Sequence, residues 1–178
     1  MTQNYSLEAP DYGFEEAEAL WNEILPNLWQ GGTADNDIIG DRTFAKPFSG
    51  NVSWQPFITK EDFDTVITAY QYANPVDWFV NEYRYCYYDS SIALVDKKQL
   101  KKAVDYAHAA WKDGDKVLIR CQAGWNRSGL ITALVLIKDG YTPSEAIRLI
   151  RENRSTHALC NRDFEEWLLN LDVEEWRN

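Results

Sequence analysis

The segment from Val117 to Lys138 constrains the fold most, because two apolar runs are joined there by a short polar loop. The first run, 117–119, follows a turn at 113–115 and predicts a buried strand. The second run, 130–137, is too short to cross a bilayer and precedes Gly140, so it predicts a buried helix. This order is typical of an α/β fold whose polar loop lies at the carboxyl end of a central strand.

The loop between the two runs has the sequence C-Q-A-G-W-N-R-S at 121–128, which is suited to binding an anion. Backbone N–H groups converge in such a loop, and the following helix adds the positive end of its dipole. Cys121 in that position, close to Arg127, is expected to react as a thiolate, and the guanidinium matches two phosphate oxygens. Gly124 permits a positive φ, and Ser128 can place a hydroxyl near the sulfur. The loop therefore suits attack of a thiolate on a tetrahedral oxyanion.

The spacing C-x-x-G-x-x-R-S, between a strand and a helix, resembles the phosphate loop of dual-specificity phosphatases, in the cysteine-dependent protein tyrosine phosphatase superfamily. The resemblance extends over about residues 23–171, with an opening I-L-P-N-L segment and a C-terminal stretch from Arg154 to Phe164. It implies an α/β fold with a small, mostly parallel central sheet flanked by helices on both faces. One position departs from the family, which usually has His before the nucleophile where this chain has Arg120.

The resemblance also implies phosphomonoester hydrolysis through a phosphocysteine intermediate, with no metal and no other cofactor. Cys121 is the expected nucleophile, Arg127 binds phosphoryl oxygens, and Ser128 assists release of the thiolate. The phosphate-binding loop comprises Gln122, Ala123, Gly124, Trp125, Asn126 and Arg127.

The expected general acid is Asp89, since the family carries an Asp on a loop some thirty residues before the Cys. Asp89 lies 32 positions before Cys121 and follows an aromatic stretch. It could instead shape a turn with the two serines that follow it. Asp96 is the competing carboxylate, but its position favours a helix N-cap.

The expected substrate is a phosphoprotein carrying phosphotyrosine, with phosphoserine or phosphothreonine as further candidates, and phosphate or vanadate should occupy the loop. The loop lacks Lys, unlike the loops of several phosphoinositide-directed members of the superfamily, so a lipid is less expected as the substrate than a phosphoprotein. A phosphate- or phosphopeptide-binding module without turnover stays open because of Arg120. A rhodanese-like sulfurtransferase also stays open, because it too uses a Cys within a loop of N–H donors.

The composition fits one globular domain, predicted at 23–178 after an N-terminal extension, 1–22, with a short acidic helix at 15–21. A net charge of −10 argues against nucleic acid and an anionic membrane as partners. Local positive charge must then come from arginines, the candidates being Arg120, Arg127, Arg148, Arg151 and Arg154.

The three cysteines and the absence of an apolar leader predict a reducing, cytoplasmic location. Cys86 and Cys160 are interpreted as structural filler, and a resolving role toward Cys121 stays open for each. The two histidines belong to no cluster with metal-ligand spacing, so no metal site is expected.

The remaining patterns predict further strands and helices. Strands are expected at 28–29, 64–69 and 83–88, and helices at 96–112, after Thr142 and after Asn161. The segment 33–60 shows no period, so it is either a functional loop or a set of short elements.

Overall fold

The computed structural model describes residues 19–33 and 55–178, and five short strands of these residues form one sheet. The strands are β1 (Trp21–Leu25), β2 (Leu28–Gly31), β3 (Thr65–Thr68), β4 (Asn81–Arg84) and β5 (Val117–Arg120). Their order is β1-β2-β5-β3-β4, with β1 antiparallel to β2 and all other neighbours parallel. The apolar strand predicted at 117–119 is therefore the central one.

The four helices predicted within the described residues are all present, and a fifth, short helix was not predicted. They are α1 (Lys97–Lys112), α2 (Arg127–Lys138), α3 (Pro143–Asn153), α4 (Arg162–Leu169) and α5 (Glu174–Arg177), with a 3₁₀ turn at Ile92–Leu94. Asp96, Thr142 and Asn161 cap α1, α3 and α4 with their side chains, and Thr142 forms a complete capping box with Glu145. None of these helices is long and apolar enough to cross a membrane.

The sheet has a different apolar cluster on each face, because successive strand residues point to opposite sides. Ile67, Val117 and Ile119 belong to the main cluster, to which the fully buried middle of α2 also contributes. Val66 and Leu118 belong to a smaller cluster with Ile58, Phe63 and Val80. The α/β class and the mostly parallel sheet are confirmed. Within the described part of the chain, the buried helix residues belong to the main cluster.

Two predicted elements differ from the observed ones. The strand predicted at 83–88 is instead Asn81–Arg84, because its neighbour β3 ends at Thr68 and the last ladder bond runs from Tyr85 N to Thr68 O. The tyrosines that follow leave the sheet. The prediction of a helix at 15–21 is wrong at its C-terminal end, because Trp21 belongs to β1. This strand begins two residues before the predicted start of the domain. Residues 1–18, and 34–54 of the aperiodic segment, lie outside the described residues.

Candidate active site

The polar loop after β5 is held from outside through its backbone carbonyl groups. The carbonyls of residues 122–125 all accept hydrogen bonds from other parts of the chain. The donors are Thr33 N to Gln122 O (2.9 Å), Arg154 Nη2 to Ala123 O (3.2 Å), Gln30 Nε2 to Gly124 O (3.0 Å), Arg154 Nε to Gly124 O (3.2 Å) and Leu159 N to Trp125 O (3.2 Å). Because the N–H of a trans peptide points opposite to its carbonyl, the N–H groups of residues 123–126 point to the concave side. An anion placed there would meet several donors at once.

Arg154 supports the loop without lining it. Only 6% of this residue is exposed, and burial lowers the pKa of its guanidinium, while the nearby Cys121 acts in the opposite direction. The guanidinium also donates to Ala19 O and to Asn22 Oδ1, so it links the phosphate loop to the start of the sheet. Sequence analysis placed Arg154 only among possible sources of positive charge, and no local pattern indicates this supporting contact.

Gly124 is required where the loop touches the end of β2. Its φ is +77°, in the region that disfavours residues with a side chain. A Cβ at Gly124 would lie 2.3 Å from the carbonyl carbon of Gly31, and one at Gly32 would lie 2.7 Å from Gln122 O. The glycine pair and Gly124 therefore let two backbones approach at the site.

Cys121 lies at the base of the loop with 2% of its surface exposed. Its Sγ is 3.3 Å from Oγ of Ser128, which is fully buried in the first turn of α2. The predicted pairing of thiol and hydroxyl therefore exists in the structure. The N-terminus of α2 at Arg127 adds the positive end of the helix dipole beside this pair.

Arg127 lies between the loop and an aromatic wall. Its guanidinium carbon is 5.2 Å from the centre of the Tyr70 ring, and Nη2 is 3.4 Å from Gln122 Oε1. Its Nε is buried and has no hydrogen-bond partner within the described residues. Tyr87 OH donates to Arg127 O at 2.7 Å. Burial, followed by the charge of Cys121, raises the pKa of Tyr87 well above its ordinary value, so Tyr87 stays a donor.

Arg127 opens onto a cleft of about 320 Å³ that also contains the predicted general acid. Its lining residues are Tyr70, Gln71, Tyr72, Cys86, Tyr87, Tyr88, Asp89, Gln122 and Arg127. The structure thus brings Asp89 to the cleft of Arg127 and Gln122. Sequence analysis did not identify the tyrosines that line this cleft. Their only sequence signal was the aromatic stretch 83–88, which contains Tyr87 and Tyr88.

Asp89 is tied to the phosphate loop through one carboxylate oxygen and to α4 through the other. Oδ2 accepts a hydrogen bond from Asn126 Nδ2 at 3.0 Å, and Oδ1 accepts one from Asn161 Nδ2 at 2.8 Å. The competitor Asp96 accepts from the N–H groups of Lys98 and Gln99 at 2.9 and 3.1 Å, as expected of an N-cap.

Arg120 does not face the phosphate loop, because its side chain lies on the second face of the sheet. Only 2% of it is exposed, and it donates to Thr68 Oγ1 (3.0 Å), Glu82 Oε1 (3.1 Å) and Asn74 O (2.6 Å). Its charge is therefore paired with a carboxylate, which corrects the expectation that Arg120 supplies positive charge to the site. The same correction applies to Arg148 and Arg151, which pair with Glu152 and Glu165.

We expect Arg120→Met to lower the free energy of unfolding by about 2–3 kcal/mol, measured by urea denaturation. Removing one partner of a buried ion pair costs about 3–5 kcal/mol, and here Arg84 still pairs with Glu82.

Burial acts to raise the pKa of Glu82, but hydrogen bonds from Arg84 and Thr68 and the charges of both arginines lower it overall. The folded-state pKa is below the unfolded one, so this stabilisation is present at neutral pH and is lost as the pH falls through the glutamate range. The difference between wild type and Arg120→Met should accordingly shrink in acid. Equal free energies of unfolding of the two proteins at pH 7 would contradict a stabilising ion pair between Arg120 and Glu82.

The other two cysteines are exposed, which corrects their interpretation as structural filler. Cys86 lines the cleft, and because its thiol is partly shielded from solvent there, its pKa is raised. Cys160 Sγ lies 3.4 Å from Asn126 Nδ2. In the part of the chain that the structure describes, no group of three or more His, Cys, Asp or Glu side chains could hold a metal ion.

Comparison with known proteins gives a family and a set of similar folds. Residues 50–174 match the family model described as dual specificity phosphatase, catalytic domain. Human DUSP28 is 17% identical, with a TM-score of 0.64 over 88% of this chain and 94% of that chain. Tk-PTP in its active form is 24% identical (TM-score 0.54, 65% and 80%). Human tyrosine phosphatase-like serine/threonine/tyrosine-interacting protein is 14% identical (TM-score 0.62, 87% and 97%). At these identities the structures show a shared fold. A search of curated proteins found no match.

Proposed function

Because the chain belongs to the dual specificity phosphatase family, we propose that it hydrolyses phosphomonoesters through a phosphocysteine intermediate without a metal ion. The observation that carries the proposal is the convergence of three groups. Cys121 lies at the base of a loop whose N–H groups face inward, and Arg127 and Asp89 both line the adjoining cleft. Sulfur transfer would need the loop but would not need Asp89.

In the first step, the Cys121 thiolate attacks phosphorus and forms the S–P bond. The bond between phosphorus and the leaving oxygen breaks, and Asp89 in its acid form gives that oxygen a proton. Arg127 and the loop N–H groups bind the three remaining phosphoryl oxygens, where negative charge is concentrated in the transition state.

In the second step, water attacks the phosphocysteine and the S–P bond breaks. Asp89, now a carboxylate, takes a proton from the attacking water. Ser128 stabilises the departing thiolate by donating a hydrogen bond over the 3.3 Å that separates its Oγ from Sγ. Inorganic phosphate leaves. Cys121 is again a thiolate, and Asp89 is again in its acid form because the proton taken from water replaces the one given to the leaving oxygen.

A phosphoprotein bearing phosphotyrosine is the substrate that the cleft favours, with phosphoserine or phosphothreonine as further substrates. Tyr70, Tyr72, Tyr87 and Tyr88 line the cleft and offer aromatic surface for a phenyl ring. The phosphate loop has no Lys and the chain carries a net charge of −10, so an anionic lipid is a poorer fit. We also propose one phosphatase domain over 23–178 and a cytoplasmic location, which suits three free cysteines.

A phosphopeptide-binding module without turnover is the second candidate, and Arg120 favours it. The family usually has His at this position, whereas the Arg120 side chain contacts Thr68 and Glu82 on the second face. The loop is held instead by Gln30 and Arg154, whose bonds to Gly124 O support a formed anion site. Measured turnover separates the two functions.

We expect turnover of p-nitrophenyl phosphate to survive excess EDTA and to be inhibited by vanadate or phosphate. The proposed steps use a thiolate, a carboxyl group and fixed N–H donors, and none of them needs a Lewis acid. Initial rates with and without EDTA, and then with added divalent metal, measure this. Activity that disappears with EDTA and returns with the metal would overturn the mechanism. A protein that binds phosphate but gives no turnover under any of these conditions would be a binding module.

A further inference from the structure

The carboxylate of Asp89 lies on a segment that the sheet does not hold. The last ladder bond of this strand is from Tyr85 N to Thr68 O, and Asp89 is exposed at the rim of the cleft. A general acid must nevertheless be placed within hydrogen-bond distance of the leaving oxygen. The orientation of the Asp89 carboxylate therefore depends on the two hydrogen bonds that it accepts from the side-chain amides of Asn126 and Asn161.

The Asn161 side chain is fixed in one orientation by its role as an N-cap. Its Oδ1 accepts from the N–H groups of Asp163 (3.1 Å) and Phe164 (3.4 Å) at the start of α4. A flipped amide would place its NH₂ group against these two donors, so Nδ2 must face the other way. There it donates to Asp89 Oδ1 at 2.8 Å and to Ser90 O at 2.9 Å.

Asn161 also orients the second amide. Its backbone N–H donates to Asn126 Oδ1 at 3.0 Å, which directs Asn126 Nδ2 toward Asp89 Oδ2. Asn126 belongs to the phosphate loop, so the same residue connects the loop to the acid. Asp163 adds a further contact between α4 and the segment that follows Asp89, because Asp163 Oδ2 accepts a hydrogen bond from Ile92 N at 2.6 Å.

We propose that Asn161, acting directly and through Asn126, is a positioning residue for Asp89, an inference that rests on the proposed phosphatase function. Each amide occupies one lone pair of one carboxylate oxygen, and the carboxyl group keeps further sites for the proton it transfers. A side-chain amide carries no charge, so it orients the carboxyl group through directional hydrogen bonds. The cap of α4 thereby fixes the general acid relative to the phosphate loop.

The variant Asn161→Ser separates this role from the helix cap. Ser keeps an oxygen that can cap α4, but its short side chain has no amide to reach Asp89. We expect kcat/KM on phenyl phosphate to fall by about 10- to 100-fold, since a small misplacement of a catalytic group can cost that much. The loss on p-nitrophenyl phosphate should be only a few-fold, because nitrophenol leaves readily without a proton. Inhibition by phosphate should stay unchanged.

A double-mutant cycle with Asp89→Asn tests whether Asn161 acts through Asp89. In the Asp89→Asn background, Asn161→Ser should lower kcat/KM on phenyl phosphate by less than about 2-fold. Asn170→Ser, at the other end of α4, is the matched control and should leave both rates unchanged. An equal loss on both substrates, or an undiminished loss in the Asp89→Asn background, would overturn the positioning role while leaving the proposed function intact. A wild-type protein that hydrolyses neither substrate would overturn the proposed function, and the inference with it.

Discussion

Cys121→Ser should reduce phosphatase turnover to the background of the assay, the largest effect expected for any single substitution in this protein. A serine hydroxyl at that position is far less ionised and less nucleophilic than a thiol, so the S–P intermediate has no replacement. Steady-state rates on p-nitrophenyl phosphate measure the loss. A radiolabelled phosphoenzyme, trapped by rapid acid quench, should appear with wild type and be absent with the variant.

The anion site itself should survive this substitution. Its donors are backbone N–H groups, held by Arg154 and Gln30, and the Arg127 guanidinium. Titration calorimetry should therefore still detect phosphate binding to Cys121→Ser. Cys160→Ser is the matched control, because Cys160 is exposed, and it should keep most of the turnover. Substantial activity in Cys121→Ser, or its loss in Cys160→Ser, would contradict the assignment of the nucleophile.

Asp89→Asn should lower turnover far more on a poor leaving group than on a good one. The phenol released from phosphotyrosine has a pKa of about 10 and benefits from a proton, whereas nitrophenol leaves without one. General acid catalysis contributes on the order of 10²–10⁴-fold, so the loss on a phosphotyrosine peptide should fall in that range. The loss on p-nitrophenyl phosphate should be much smaller, and kcat/KM on a series of aryl phosphates measures the dependence.

Asp96→Asn is the matched control for this second result. Asp96 caps α1, and Asn is as good an N-cap, so turnover on both substrates should be unchanged. A leaving-group dependence that appears in Asp96→Asn would assign the acid to that residue instead. An equal loss on every substrate in Asp89→Asn would indicate that Asp89 only maintains the structure.

The sequence by itself determined the parts of this protein that depend on near neighbours. An apolar run between a turn and a polar loop indicated β5, and the apolar run after the loop indicated α2. The caps at Asp96, Thr142 and Asn161 were predicted because a cap bonds to N–H groups two or three residues away. The C-x5-R-S spacing likewise predicted that Cys121, Arg127 and Ser128 share one loop, because these residues lie within eight positions of one another.

The tertiary structure alone decided which distant groups complete the site. Gln30 bonds to Gly124 across 94 positions of sequence, and Asn161 bonds to Asp89 across 72. No periodicity specifies such pairs, because they depend on how the strands and helices pack. The pairing of Arg120 with Glu82 likewise required the sheet, since strand alternation decides the face to which a side chain points and the neighbouring strand decides its partner. The extent of β4 was set in the same way, because a strand ends where its partner strand ends.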